Sequence, residues 1–237
     1  MHVYLIVGAA AWGIAAGLLL PRAVYRLAVD AEQPWASQCP EGHPIRGWLG
    51  PARCPQCAQG RPYGPGYGLV AASAVACAAL AATVGAHPEL AVWLLLVPVG
   101  VVLARVDLTV FRLPDVLTLP ALGGTAALLG GAALLPSHEG SWTRALIAAA
   151  VLGALYFVLF FVNPSGMGFG DVKLAPTVGL ALGWYGWGTV FVGTMLGFGL
   201  GAVLGLALIV TRRADRKTPI PFGPFILAGA FAGLLLA

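Results

Sequence analysis

Residues 92–120 read VWLLLVPVGVVLARVDLTVFRLPDVLTLP. An apolar run ends around Arg105 and Asp107, a short break with Arg112 and Pro114 follows, and a second apolar run starts after Asp115. Each run approaches the roughly 20 residues that cross hydrocarbon as a helix. Neither shows the strict alternation of a barrel strand, so the stretch reads as two membrane helices joined at a rim. The rest of the chain repeats this pattern. Of its 237 residues, 59% are apolar and 9% are Asp, Glu, Lys or Arg, and the mean hydropathy is +0.88. An average soluble domain carries about 25% charged residues, so that class is excluded. Blocks rich in Ala, Gly, Leu and Val predict spans near 3–20, 68–86, 90–106, 117–135, 144–163, 172–187, 188–210 and 220–237. The expected fold is all-α, a polytopic membrane helical bundle of about eight transmembrane helices. Residues 1–20 form its first helix, 21–67 a small cytoplasmic loop subdomain, and 68–237 the membrane core.

Only Met1 and His2 precede the first run, without a basic segment, so it reads as a retained span rather than a cleaved signal peptide. With eight spans, the loops alternate sides. Arg22, Arg26, Arg46, Arg53 and Arg61 fall in the first loop, Arg105 and Arg112 in the third, Lys173 at the fifth, and Arg212, Arg213, Arg216 and Lys217 in the seventh. Arg144 alone lies opposite. The bias puts the odd loops in the cytoplasm and both termini outside. The net charge of +4 is then a membrane-topology signal and not a nucleic-acid surface. Trp93, Trp142, Trp184 and Trp187 lie near predicted outer ends, where interfacial rings are expected.

Few acids lie near the spans. Glu89 and Glu139 fall in short outer turns and are expected to be solvated. Asp171, in GMGFGDVKLAP (166–176), has two readings. It is a helix N-cap before an apolar run, or an ionisable group held at membrane depth for function. Counting about 20 residues back from Trp184 at an interface favours the second, and the glycines would let a substrate backbone approach. Asp115, after Pro114, reads as a cap of the fourth span. Asp107 sits at a helix C-terminus, against the macrodipole, with Arg105 able to neutralise it. Two aspartates on different helices at one rim suggest a water-activating pair, sharing a proton because like charges in contact cannot both ionise comfortably. No GxSxG or HExxH is present, and Cys77 in AVACAAL reads as a packed hydrophobe.

The blocks GFGDVKL (168–174) and VDLTVFRLPDVLTLP (106–120), supported by AAGLLLPRAVYRL (15–27) and PIPFGPFILAGA (219–230), resemble the prepilin peptidases. These are GxGD-type membrane aspartic proteases acting on type IV prepilins and secretion pseudopilins. The resemblance spans nearly the whole chain. It implies Asp107 and Asp171 as the catalytic pair, with Asp115, Gly168, Gly170 and Lys173 shaping the site. It implies a bacterial inner-membrane location, leader cleavage at the cytoplasmic face, prepilin or pseudopilin precursors as partners, and no cofactor for proteolysis. Long-form relatives carry two CxxC pairs in the first loop, and many also N-methylate the product with S-adenosylmethionine. This chain departs from that pattern: SQCPEGHPIRGWLGPARCPQCAQG (37–60) has Gly42 where the second Cys would stand. His43 could complete a structural zinc set with Cys39, Cys54 and Cys57, or the knuckle could be degenerate and bind no metal. Two rival functions remain at this point: a transporter using paired membrane acids, and an inactive assembly scaffold. Rim acids and the absence of an evident repeat count against the first, and the intact GFGD and VDL blocks against the second.

Overall fold

The structure is a computed structural model and describes residues 2–30, 32–57, 60, 62–164, 166–212 and 220–237. Among these are eight α-helices and no strand: α1 (His2–Leu27), α2 (Gly68–Val84), α3 (Glu89–Val110), α4 (Asp115–Ala132), α5 (Trp142–Val162), α6 (Phe169–Tyr185), α7 (Trp187–Val210) and α8 (Gly223–Leu235). The helix count agrees with the eight predicted spans. Five helices are long and apolar enough to cross a membrane, namely α1, α3, α4, α5 and α7. The apolar helices α2 and α8 are shorter, and α6 carries Asp171 and Lys173 in its first turns. Many large apolar side chains on the long helices are exposed, including Phe157, Phe161, Phe191, Val203 and Leu206. In water such a surface would aggregate; against acyl chains it is solvated, so the chain is a membrane helical bundle.

The chain divides into two compact units, Met1–Ala86 with Trp93–Arg112, and His87–Val92 with Leu113–Ala237. In the first, α1 packs on α2 through glycines. A Cβ at Gly17 would meet the Val70 Cα at 2.6 Å, and one at Gly13 would meet the Ala74 Cα at 2.8 Å. α1 continues to Leu27, beyond its predicted end at 20, because its last turns hold the loop. Arg22 donates to the carbonyls of Arg46 (2.7 Å) and Pro51 (3.3 Å). Arg26 donates to Gly47 (2.7 Å) and lies 3.9 Å over the Trp48 ring. These two arginines, read from sequence only as topology signals, are structural ties.

The second unit is built around α6, which packs against α4, α5, α7 and α8. All of its residues from Val172 to Trp184 are buried except Lys173 and Pro176. The α5–α6 contact depends on small residues: Gly179 and Gly183 of α6 face Ala145, Ala148 and Ala149 of α5, the close approach by which membrane helices associate. The Pro176 ring fills the space beside Gly153.

Several expectations are corrected here. Trp184 and Trp93 are buried, at 0% and 1% exposure, so neither is an interfacial ring; Trp142 and Trp187 are exposed. The length count that used Trp184 as an interface anchor therefore loses its anchor. Glu89 is fully buried rather than solvated, because its Oε1 accepts from the Trp184 indole N–H (3.1 Å) and the Glu139 backbone N–H (3.1 Å). Arg144, the topological exception, caps the C-terminus of α6: it donates to the carbonyls of Gly183 (2.9 Å) and Trp184 (2.6 Å), where the macrodipole favours a cation. Among the basic residues used for topology, Arg61, Arg213, Arg216 and Lys217 lie outside the described residues, as does Pro219 of the last matching block.

Candidate functional site

Asp171 belongs to the second unit and lies in the first turn of α6, 5% exposed. It is not the N-cap. Gly168 precedes the helix in extended conformation, and the Asp171 carboxylate reaches back so that Oδ2 accepts the Gly168 N–H at 3.1 Å. An acceptor oxygen at the positive end of a helix is favourable, which holds this side chain in place although it is buried. Gly170 is required by packing: a Cβ there would meet the Leu113 Cβ at 2.9 Å. The Gly168 position is more open, its nearest neighbour being Asp171 Oδ2 at 3.5 Å.

Asp115 is the first residue of α4, and Pro114 takes the cap position, in extended conformation. Its carboxylate receives both contacts from the Lys173 ammonium, at 2.7 and 2.8 Å. This pair ties the start of α4 to the second turn of α6, two residues from Asp171, and the ammonium also lies 4.9 Å from the Phe169 ring centroid. The capping role expected of Asp115 gives way to a cross-helix ion pair, which no local spacing could reveal because its ends lie in separate sequence blocks.

Asp107 belongs to the first unit and lies in the last turn of α3, 4% exposed. Immediately beyond, Phe111 takes φ 53° and donates its N–H to the Asp107 carbonyl at 2.9 Å, ending the helix. A left-handed phenylalanine costs about 1–2 kcal/mol relative to a right-handed one, so α3 ends here against local preference. Nothing in the sequence marks Phe111 as a helix terminator.

In the loop, Cys39, His43, Cys54 and Cys57 converge, with their ligand atoms all within 4.8 Å of one another. His43 Nδ1 lies 3.6, 3.7 and 3.5 Å from the sulfurs of Cys39, Cys54 and Cys57, and Cys39 Sγ is 3.6 Å from Cys57 Sγ. All four cysteines of the chain are free thiols. A tetrahedral zinc with bonds of about 2.3 Å to sulfur and about 2.05 Å to nitrogen sets edges of about 3.8 Å between sulfurs and about 3.6 Å from sulfur to nitrogen. The observed separations match those edges. Gly42, where a second Cys was missing, takes φ +83° and donates to the Cys39 carbonyl at 2.8 Å, turning the chain so that His43 joins the set. Burial pushes the Cys39 thiol up, but hydrogen bonds from the Glu41 and His43 backbone and with the Cys57 and His43 side chains outweigh it and bring it down to about 6. Burial and the neighbouring thiols push Cys57 up. One thiolate thus forms readily, the state a metal requires.

A sequence profile of the type IV leader peptidase family matches residues 94–211, which include Asp107, Asp115 and Asp171. Among curated proteins, one named prepilin leader peptidase/N-methyltransferase in Pseudomonas putida is 30% identical over 277 residues, covering 98% of this chain and 91% of that protein. Those of the same name in Aeromonas salmonicida (strain A449) and Stutzerimonas stutzeri are 37% and 31% identical, covering 60% and 56% of this chain. The matched stretches span about half of those two relatives, 48% and 45%. No solved structure matches.

Proposed function

Because the chain belongs to the type IV leader peptidase family, we propose that it is a membrane aspartic endopeptidase that removes the leader from type IV prepilin or pseudopilin precursors. The observation that carries this reading is a pair of buried aspartates, Asp107 and Asp171, within the matched region of a chain that is otherwise poor in charge. A buried carboxylate is unfavourable unless something holds it, and each of these lies in a terminal turn of an apolar helix. In the proposed reaction one aspartate is ionised and takes a proton from water as the water oxygen attacks the scissile carbonyl. The other is protonated and donates to the carbonyl oxygen. As the C–N bond breaks, the aspartate that took the water proton gives one to the new amine, and the other recovers its proton as the carboxyl product forms. Lys173 and Asp115 stiffen the α4–α6 corner beside Asp171. The test is incubation of the purified protein with a leader-bearing prepilin, reading the product's N-terminus by mass spectrometry. A new terminus at the start of the precursor's apolar helix supports the reading, and an intact precursor overturns it. Methyl transfer is not part of this proposal; a product heavier by one methyl group would add it.

The reading includes a bacterial inner-membrane location with the loops bearing Arg22 to Arg53, Arg105, Arg112 and Lys173 in the cytoplasm and both termini outside. The support is the charge bias and the family. Ser137 is exposed in the α4–α5 turn. In intact cells, Ser137→Cys is expected to react with an impermeant thiol reagent, while the unsubstituted chain does not. Failure of the substituted chain to label in intact cells, with labelling appearing once the membrane is permeabilised, would reverse the topology.

We further assign a structural zinc to Cys39, His43, Cys54 and Cys57, supported by the tetrahedral separations. Four protein donors close the shell and leave no position for a reacting water. Replacing Cys54 and Cys57 by Ser is expected to lower bound zinc at this site below about a tenth of an equivalent and to reduce protein yield more than the cleavage rate of the folded fraction. Metal analysis of the purified variant checks this, and retention of a full equivalent at the site would refute the assignment.

A further inference from the structure

A second cluster lies at the other end of α6 from Asp171, within the second unit. His87, just before α3, Glu89 at its start, and Glu139 in the α4–α5 turn each bring one ligand atom within 4.8 Å of the others. Three features distinguish this from a chance group of acids. First, Glu89 is fully buried, and while its Oε1 accepts two hydrogen bonds, its Oε2 is buried without any partner. Second, His87 Nδ1 lies 2.6 Å from the Ser137 carbonyl oxygen. A carbonyl only accepts, so Nδ1 carries the hydrogen and Nε2 of the neutral ring holds a lone pair. Third, that Nε2 is 3.2 Å from Glu139 Oε1. A lone pair and a carboxylate oxygen in contact repel unless a proton or a metal cation stands between them.

Arg144 reaches the same region but donates to the carbonyls of Gly183 and Trp184. With a neutral imidazole, the two carboxylates leave a charge that a divalent ion would balance. The backbone tie of His87 to Ser137 is also the arrangement that fixes tautomer and ring orientation in metal-ligating histidines. We propose that His87, Glu89 and Glu139 form a divalent-cation site of zinc type, separate from both the thiol cluster and the aspartates. One imidazole and two carboxylates suit zinc and neighbouring first-row ions better than Mg²⁺ or Ca²⁺, which prefer all-oxygen shells. Three protein donors leave a position for water. The side chains of His87 and Glu139 are 32% and 55% exposed, which gives an ion access. Bound there, it would clamp the start of α3, the α4–α5 turn and, through Glu89 and Trp184, the end of α6.

The test is titration of the full, metal-stripped chain in detergent with Zn²⁺, and with Co²⁺ as a spectroscopic probe, comparing the unsubstituted protein with E139Q, H87Q and E89Q. The exposed Glu139 can be changed without opening the core, and its backbone N–H remains available to Glu89. The unsubstituted protein is expected to bind one equivalent more than E139Q or H87Q, with Co²⁺ absorption lacking the sulfur-to-metal charge-transfer band of a thiolate site. Zn²⁺ affinity at this position should fall by at least about tenfold in each variant, and zinc should raise the melting temperature of the unsubstituted protein more than that of E139Q. Equal metal content and equal zinc-induced shifts in unsubstituted protein and E139Q would overturn the proposal, leaving His87 and Glu139 as a proton-bridged ion pair only. Because the readout is a difference between variants, it does not depend on whether the thiol cluster is loaded.

Discussion

Asn in place of Asp107 or Asp171 is expected to lower leader cleavage by about 10²–10⁴-fold, the range associated with loss of a general acid or base. The change keeps the side chain's volume but removes its capacity to take a proton. For Asp171 the local fold should survive, because the Asn carbonyl oxygen can accept the Gly168 N–H that Oδ2 now accepts. Asp115→Asn should act differently. It breaks a partly exposed ion pair with Lys173, with side chains 56% and 27% exposed, and such pairs contribute at most about 1 kcal/mol. A loss of under about tenfold is expected. Initial rates from product mass spectrometry on folded, detergent-purified variants separate the cases. Near-native cleavage by Asp107→Asn together with abolition by Asp115→Asn would move the catalytic assignment to Asp115.

Leu in place of Gly179 is expected to prevent assembly of the second unit. A Cβ at this position would meet the Ala148 carbonyl oxygen and the Ala149 Cα, both at 2.6 Å. These are backbone atoms of α5, so relief requires the helices to separate rather than a side chain to turn. Even Gly179→Ala should cost about 1–3 kcal/mol, as overpacking typically does, and a branched four-carbon side chain more. The effect should spread because α6 is the element on which α4, α5, α7 and α8 pack. Gly199 in α7 provides the control: a Cβ there meets nothing within 4 Å, and Ala should be neutral or slightly stabilising. Yield of monodisperse protein and melting temperature in detergent measure both. Gly179→Leu melting within a few degrees of the unsubstituted chain would show that the α5–α6 contact is not needed for folding.

The sequence by itself determined the fold class, the number of helices, the family and the residues offered as zinc ligands. Each rests on a local signal: blocks of apolar residues, short glycine and aspartate motifs, or Cys and His at fixed spacing. Local signals also placed Asp171 at a helix start, with a cap as one of its two readings; the structure makes it a third-position acceptor instead. Only the tertiary structure decided which apolar surfaces face each other and which polar groups they enclose. Trp184 and Trp187 are nearly adjacent in an apolar run, yet one is fully buried and the other 49% exposed. Hydropathy cannot separate them, because lipid tails and a protein core are nearly equivalent surroundings for an indole ring. The same ambiguity concealed α6 as the central helix, Arg144 as its C-terminal cap and Lys173 as the partner of Asp115. It also concealed Glu89, whose position in a turn suggested solvent until Trp184 and Glu139 were seen to close over it. In a bilayer the burial of apolar groups sets depth but not partners; partners are chosen by close packing at glycine and by hydrogen bonds between residues far apart in the chain.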